Sequence, residues 1–197
     1  MARYDATHKG QTRRLIIDRA GQRLKHDGID GSGIATLMSD AGLTNGAFYA
    51  HFRSKSDLVA SVVSDQLATQ AATIADLPPG HEAIDQFIGG YLAPDHRDHP
   101  ASGCPSAALL DEITRCDEQV RAAYTVGVQS IIDAVAAQLS PEDPAAARRT
   151  AIGLFTLLVG NLQMARAVSE PALSVEVLAA GIDAARQLLT QYNDQKS

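Results

Sequence analysis

The chain is predicted to be all-α. Apolar residues recur every three or four positions through most of its 197 residues, proline and glycine clusters cut it into helix-length segments, and no stretch alternates as a strand would. The expected architecture is an N-terminal three-helix unit containing a helix-turn-helix, joined by a long helix to a larger C-terminal helical bundle. That makes about nine helices, with the boundary after residue 54.

The first helix is expected over residues 7–26. Leu15, Ile16, Ala20 and Leu24 form its apolar stripe, Arg13, Arg14, Arg19 and Arg23 occupy its other faces, and Asp27-Gly28 stops it. Ser32 is a plausible N-cap for a second helix through Ile34, Leu37, Met38 and Ala41. Gly42 ends that helix by tolerating positive φ, and Thr44 caps a third whose Ala47, Phe48 and Phe52 turn inward. On this register Asn45, Gly46, Tyr49 and His51 face outward, offering hydrogen-bond donors and a close backbone approach without large charge.

Lys55 to about Ala75 reads as the long connecting helix, broken by Leu77-Pro78-Pro79-Gly80. A helix follows over 82–93, then a polar segment from Ala93 to Gly103, rich in proline, charge and histidine, that is not expected to hold a helix. Further helices are expected from Pro105 to Arg115, from Asp117 to Leu139, over 145–169 and over 173–192, separated by Ser140-Pro141-Glu142-Asp143-Pro144 and Glu170-Pro171.

The run AGLTNGAFYAHFRSKSDL, residues 41–58, resembles the tetracycline-repressor (TetR) family of bacterial one-component transcription regulators. The turn glycine Gly42, the pair Phe48 and Tyr49, His51 with Phe52, and Lys55 followed by Leu58 carry the likeness, which is firm over roughly the first 60 residues. The resemblance implies that Thr44, Asn45, Gly46, Tyr49, His51 and Lys55 contact DNA, mostly at phosphates, and that Ser32 does so from the preceding helix. One position departs from the family: Met38 stands where a small alanine is usual, four residues before the turn glycine. Residues 1–54 are then a DNA-binding domain and 55–197 an effector-binding and dimerisation domain. No arginine or lysine lies between Thr44 and Phe52, so bidentate guanine recognition is not available there, whereas Asn45 suits adenine.

Charge is divided in keeping with that reading. Residues 1–57 carry nine Lys or Arg against six acids, and the remainder eight against seventeen, so a basic N-terminal part sits on a chain of net charge −6. No uninterrupted apolar run is long enough for a membrane span and the N-terminus is polar, so no membrane partner and a cytoplasmic location are expected. Two cysteines without C-x-x-C spacing fit a reducing compartment.

The last two helices hold more apolar residues than one face needs, among them Ile152, Leu154, Phe155, Leu158, Leu162, Val177, Leu178 and Leu189. They form either a buried pair or, as the resemblance favours, a homodimer interface placing two reading heads about 34–36 Å apart on a palindromic operator.

Cys104, between Gly103 and Pro105, falls at a helix N-cap, where the helix dipole favours the thiolate. The Gly-Cys opening resembles family members that respond to electrophiles or oxidants, and it equally fits a tight packed corner. Phe87, Tyr91, Leu109, Tyr124, Val128 and Phe155 lie on helices that in the family surround a cavity, and Asn161 and Gln163 interrupt a greasy helix. The two amides serve an effector, each other across a dimer, or solvent. Candidate ligand-binding residues are thus Phe87, Tyr91, Cys104, Leu109, Tyr124, Phe155 and Asn161, and the expected effector is a small apolar or weakly polar organic molecule.

The PDHRDHP loop, with Asp95, His96, Asp98 and His99, matches no standard metal spacing, so no metal and no cofactor are expected. No nucleophile elbow, phosphate-binding glycine loop or H-E-x-x-H motif occurs, and catalysis is not expected. The function inferred is a sequence-specific DNA-binding regulator, a repressor released by an effector. Alternatives are a repressor switched by covalent modification of Cys104 and, from another class, an all-α enzyme or scaffold without DNA binding.

Overall fold

Three acceptor side chains start the long helices, each taking the N–H three residues ahead: Ser54 from Asp57 at 3.1 Å, Asp117 from Val120 at 3.2 Å and Asp143 from Ala146 at 3.2 Å. Proline opens others, since its fixed φ suits the first helical turn and its missing N–H is not needed there. The computed structural model describes residues 2–78 and 81–194. Pro79 and Gly80, half of the break expected after residue 76, lie outside the described residues.

Among the described residues there are nine α-helices and no strand. In order they are α1 (Ala2–Asp27), α2 (Ile34–Asp40), α3 (Lys55–Ala75), α4 (His81–Tyr91), α5 (Pro94–Asp98), α6 (Pro105–Ile113), α7 (Glu118–Leu139), α8 (Pro144–Ala167) and α9 (Pro171–Asp194). Short 3-10 helices occupy Asn45–Ala50 and Pro100–Ser102. α3 and α7 pack along much of their length, α7 lies on α8 and α8 on α9, while α1 rests on α3, on the 3-10 turn at Pro100–Ser102 and on α6. One continuous apolar core runs from Ile16 through Phe48, Leu67, Ile131 and Leu158 to Leu189.

Four expectations are corrected. The second helix of the helix-turn-helix is 3-10 rather than α: the Ala47 N–H bonds to the Thr44 carbonyl at 3.0 Å and the His51 N–H to the Phe48 carbonyl at 2.9 Å, the i to i+3 pattern of a short segment. The polar segment after α4 does fold, because Pro94 takes a first-turn position and α5 and a 3-10 turn follow. The cap of α2 is Gly33, with extended backbone and no side-chain bond, not Ser32. Leu15 is exposed, and Ile17 takes its place in the buried stripe of α1.

Two turns require glycine. Gly28 (φ +83°) ends α1 and Gly42 (φ +71°) ends α2, both in the left-handed region. At Gly42 the Leu43 N–H returns to the Met38 carbonyl at 2.9 Å, closing the helix end, and Met38 itself is fully buried.

Candidate nucleic-acid interface and effector cleft

Phe48 and Phe52 anchor the turn between α2 and α3 in the core, their rings 5.7 Å apart, and the Arg13 guanidinium covers Phe52 at 4.7 Å. Burying those two rings forces their neighbours outward. Thr44, Asn45 and Gly46 are exposed, and Tyr49 is 70% exposed while resting edge-on against Phe48. An aromatic of that size left in water on a rigid support is unusual, and four outward donors or close-approach positions cluster on one short helix.

The remaining residues predicted for this face stand differently. His51 is half-buried with Nδ1 shielded from solvent and lacking a hydrogen-bond partner; burial, with the nearby charges of Lys9 and Arg13, holds its pKa below the usual histidine value. Lys55 is half-buried and donates to the Ile29 carbonyl. An ammonium has three donors, so that bond leaves capacity for a further acceptor. Ser32 is not on the surface: it is 0% exposed, and its hydroxyl donates to the Gly28 carbonyl at 2.7 Å. The hydroxyl closes the turn after α1 and is turned away from any groove.

The head is braced by ion pairs and by α6. Arg23 on α1 forks onto Asp40 of α2, Nε to Oδ2 at 2.7 Å and Nη2 to Oδ1 at 3.0 Å, and this pairing holds the Asp40 carboxyl below its ordinary pKa. From the bundle, the Glu112 carboxylate accepts the N–H groups of Ile29 at 2.7 Å and Asp30 at 3.1 Å. These are donors left over just after α1 ends, so α6 completes the head's own hydrogen bonding.

The cleft beside this brace opens among α1, α3, α4 and the corner before α6. Its volume is about 430 Å³, and Lys25, Gln66, Phe87, Tyr91 and Cys104 are in its wall. Cys104 is the N-cap of α6, as expected, and is buried. Its backbone N–H donates to His96 Nε2 at 3.0 Å, and His96 Nδ1 in turn meets the Tyr91 carbonyl at 2.7 Å. That pattern needs an accepting Nε2 and a donating Nδ1, which is neutral imidazole; burial lowers the His96 pKa in the same sense. Behind this corner, Arg166 of α8 donates to the carbonyls of His96 at 2.6 Å, Arg97 at 3.1 Å and Ala107 at 3.1 Å.

Of the seven residues predicted to bind a ligand, Phe87, Tyr91 and Cys104 meet at this cleft. Leu109 and Phe155 are buried in the core, Tyr124 hydrogen-bonds the Ser106 hydroxyl at 3.2 Å, and Asn161 donates to the Leu157 carbonyl at 2.9 Å along its own helix. Lys25 went unnoticed in the sequence. It lies eight residues after buried Ile17 and four after buried Gly21, so an i, i+4, i+8 reading of α1 puts it on an inward face. Both cysteines are free, and burial raises the Cys116 pKa, with Asp117, Asp30 and Glu112 adding to the effect. Among the described residues no group of three or more His, Cys, Asp or Glu is placed to hold a metal ion, and no helix is long and apolar enough to cross a membrane.

Leu154, Phe155, Leu158, Leu162, Leu178 and Leu189 are core. Ile152, Thr156, Gly160 and Met164, spaced four apart, form an exposed stripe on α8, and Leu173 and Val175 are exposed on α9.

Residues 16–62 match the family of bacterial regulatory proteins described as the tetR family. The HTH-type transcriptional regulator AcrR of Shigella flexneri is 34% identical over 62 residues, a match spanning 32% of this chain and 29% of that protein's length. Among solved structures, reduced E. coli NemR superposes with a TM-score of 0.77 at 20% identity, covering 90% of this chain and 96% of that one. A TetR-family regulator from Agrobacterium tumefaciens superposes at 0.72 with 22% identity, covering 89% and 98%. The matched segment is the one that carries the exposed Tyr49 face, and the fold of the whole chain is that of these structures. Residues 16–62 thus carry a segment of the tetR-family type, set in a chain that shares the fold of these solved structures.

Proposed function

We propose that this protein is a DNA-binding transcriptional repressor that acts as a homodimer on a palindromic operator and is released by a small organic effector. Residues 1–54 form the reading head, and residues 55–197 the effector-binding and dimerising body. The observation that carries the reading is the outward cluster of Thr44, Asn45, Gly46 and Tyr49 on a helix pinned from behind by Phe48 and Phe52. His51 and Lys55 flank it with a histidine nitrogen lacking a partner and an ammonium with spare donors. Ser32 is left out of the contact set. No catalytic step and no membrane partner enter this reading.

Dimerisation is supported by the exposed Ile152, Thr156, Gly160 and Met164 stripe, whose small central residues allow a second helix to approach closely. Release follows if the effector favours a dimer state with the wrong head spacing, since Glu112 couples α6 to the turn after α1. The test is fluorescence anisotropy with duplex DNA from upstream of the protein's own coding sequence: saturable binding is expected, at least 100-fold tighter than to a scrambled duplex at equal salt.

A second reading, switching by Cys104, is favoured by the thiol's position in the cleft wall beside Lys25. Conjugate addition to a quinone would join the cysteine sulfur to a ring carbon, the thiol proton ending on the hydroquinone oxygen. Quinone treatment should then release wild type but not Cys104→Ser from DNA; equal behaviour removes the thiol from the mechanism.

A further inference from the structure

The cleft holds a positive charge that no acidic side chain among the described residues neutralises. Lys25 is 9% exposed, and among the described residues its hydrogen-bond acceptor is a neutral group, the Gly103 carbonyl, at 2.8 Å. Arg166, outside this cleft but near enough for its charge to act on Lys25, is a second, half-buried cation whose bonds also go to carbonyls. The acids in the same wall are committed elsewhere: Asp18 and Asp65 both pair with Arg14. His96 is neutral by its hydrogen bonding.

Beside the ammonium lies an apolar and hydrogen-bonding wall. Phe87 and Tyr91 stack at a tilt with ring centroids 5.9 Å apart. Tyr91 is buried, and its hydroxyl, which lies against the Cys104 sulfur, makes no hydrogen bond of normal geometry. The buried amide oxygens of Gln66 and Gln70, in the same wall, also lack partners. A buried cation bonded only to a carbonyl, next to unsatisfied polar atoms, is costly unless something else completes the set.

We infer that the cleft takes an organic anion, a carboxylate or sulfonate with an aromatic body, its anionic group on the Lys25 ammonium and its rings against Phe87 and Tyr91. This rests on the reading of the chain as an effector-responsive regulator, and it changes the expected ligand class from an apolar or weakly polar molecule to a charged one. The volume suits a two- or three-ring compound. An N–H or O–H on the ligand would meet the glutamine oxygens. The burial that lowers Lys25 to about 8 leaves it mostly protonated at neutral pH, and a bound anion would hold the proton more firmly.

The probes are two dyes with one frame: 8-anilino-1-naphthalenesulfonate and its neutral counterpart N-phenyl-1-naphthylamine. With the full-length chain, one sulfonate per protomer is expected to bind at least tenfold tighter than the neutral dye. Lys25→Met should weaken the sulfonate at least tenfold and leave the neutral dye within twofold. Equal affinities for the two dyes, or full sulfonate binding by Lys25→Met, would overturn the inference. Should Lys25→Met fail to fold, the wild-type chain provides the second measurement. Its sulfonate affinity should fall at least tenfold between pH 7 and 10 with the neutral dye unchanged, and a flat profile would overturn the inference equally. Operator binding by the ligand-free chain, measured in parallel, tests the regulator reading by itself, since it involves neither dye.

Discussion

Glu112, on α6, accepts the backbone N–H of Ile29 at 2.7 Å, in the turn that follows α1. The contact crosses 83 residues of sequence and joins the cleft's flanking helix to the N-terminal helical unit. It also explains Gly28: besides its positive φ, a Cβ there would stand 2.7 Å from a Glu112 carboxylate oxygen. Glu112→Ala strands two backbone donors, at Ile29 and Asp30, and should cost about 1–2 kcal/mol of stability. Hydrogen exchange localises the effect: amides 29 and 30 should exchange faster in the variant, while those of α7 slow or quicken only with global stability.

Tyr49 and Lys55 are expected to hold phosphates. Tyr49→Phe removes one hydroxyl from an exposed ring and should weaken operator binding by about 1 kcal/mol, roughly fivefold, at unchanged stability. Lys55→Ala should weaken binding across sequences and lower the slope of log affinity against log salt by about 1. It also removes the bond to the Ile29 carbonyl, so its melting temperature should fall slightly. Anisotropy titrations at several salt concentrations separate the two effects.

His51 should make operator binding sensitive to pH. Burial, Lys9 and Arg13 keep its pKa below 6.5 in the free protein. Phosphate brought near would raise it, so binding takes up a proton between the two values and affinity should rise as pH falls through that window. The free protein should do the opposite: protonating His51 against its surroundings costs stability as pH drops below the unfolded value of about 6.5. His51→Gln should flatten both profiles, which affinity and thermal-melt series at pH 5–8 would record.

Lys25 should cost the fold stability. Its pKa of about 8 lies below the ordinary 10.5, so the folded state resists the proton that the unfolded chain accepts. The penalty is complete below about pH 8 and disappears as pH rises towards 10.5. Lys25→Met should therefore stabilise the protein at pH 7 by about 1 kcal/mol, raising Tm by about 2–4 °C for a chain of this length. The partly exposed Gly103 carbonyl turns to water instead. A thermal melt of both proteins at pH 7 and pH 10 should show the gap closing at the higher value.

Helix limits were legible wherever a side chain enforces them. α3 starts and stops at the residues its sequence suggests, because Ser54 caps it and Pro78 follows its end. Pro94 misled for a physical reason: proline breaks a helix interior but is at home in a first turn, and Asp95 beside it suits the positive helix end. The exposed Thr44–Tyr49 face followed from the register of Phe48 and Phe52, two rings too large to leave in water. Ser32 was misplaced because a serine before an apolar run signals a cap only when its backbone is at the helix start, and here Gly33 is.

The cleft was harder to see. Its parts come from residues far apart in the chain, Lys25 on α1, Gln66 on α3, Tyr91 on α4 and Cys104 before α6, and no local pattern brings them together. Leu109 and Phe155 have the same composition signal as cavity residues but pack into the core. Only the tertiary fold separates an apolar side chain that lines a space from one that fills it.

In the proposed function, the Asn45 and Tyr49 surface is what meets DNA. The most direct measurement is operator affinity of the Asn45→Ala, Tyr49→Ala double variant at fixed salt, with its melting temperature recorded alongside. An unchanged melt is expected, with at least a 30-fold loss of affinity for the upstream duplex and binding to scrambled DNA much less affected. A variant that melts like wild type and still binds the upstream duplex with wild-type affinity would contradict it.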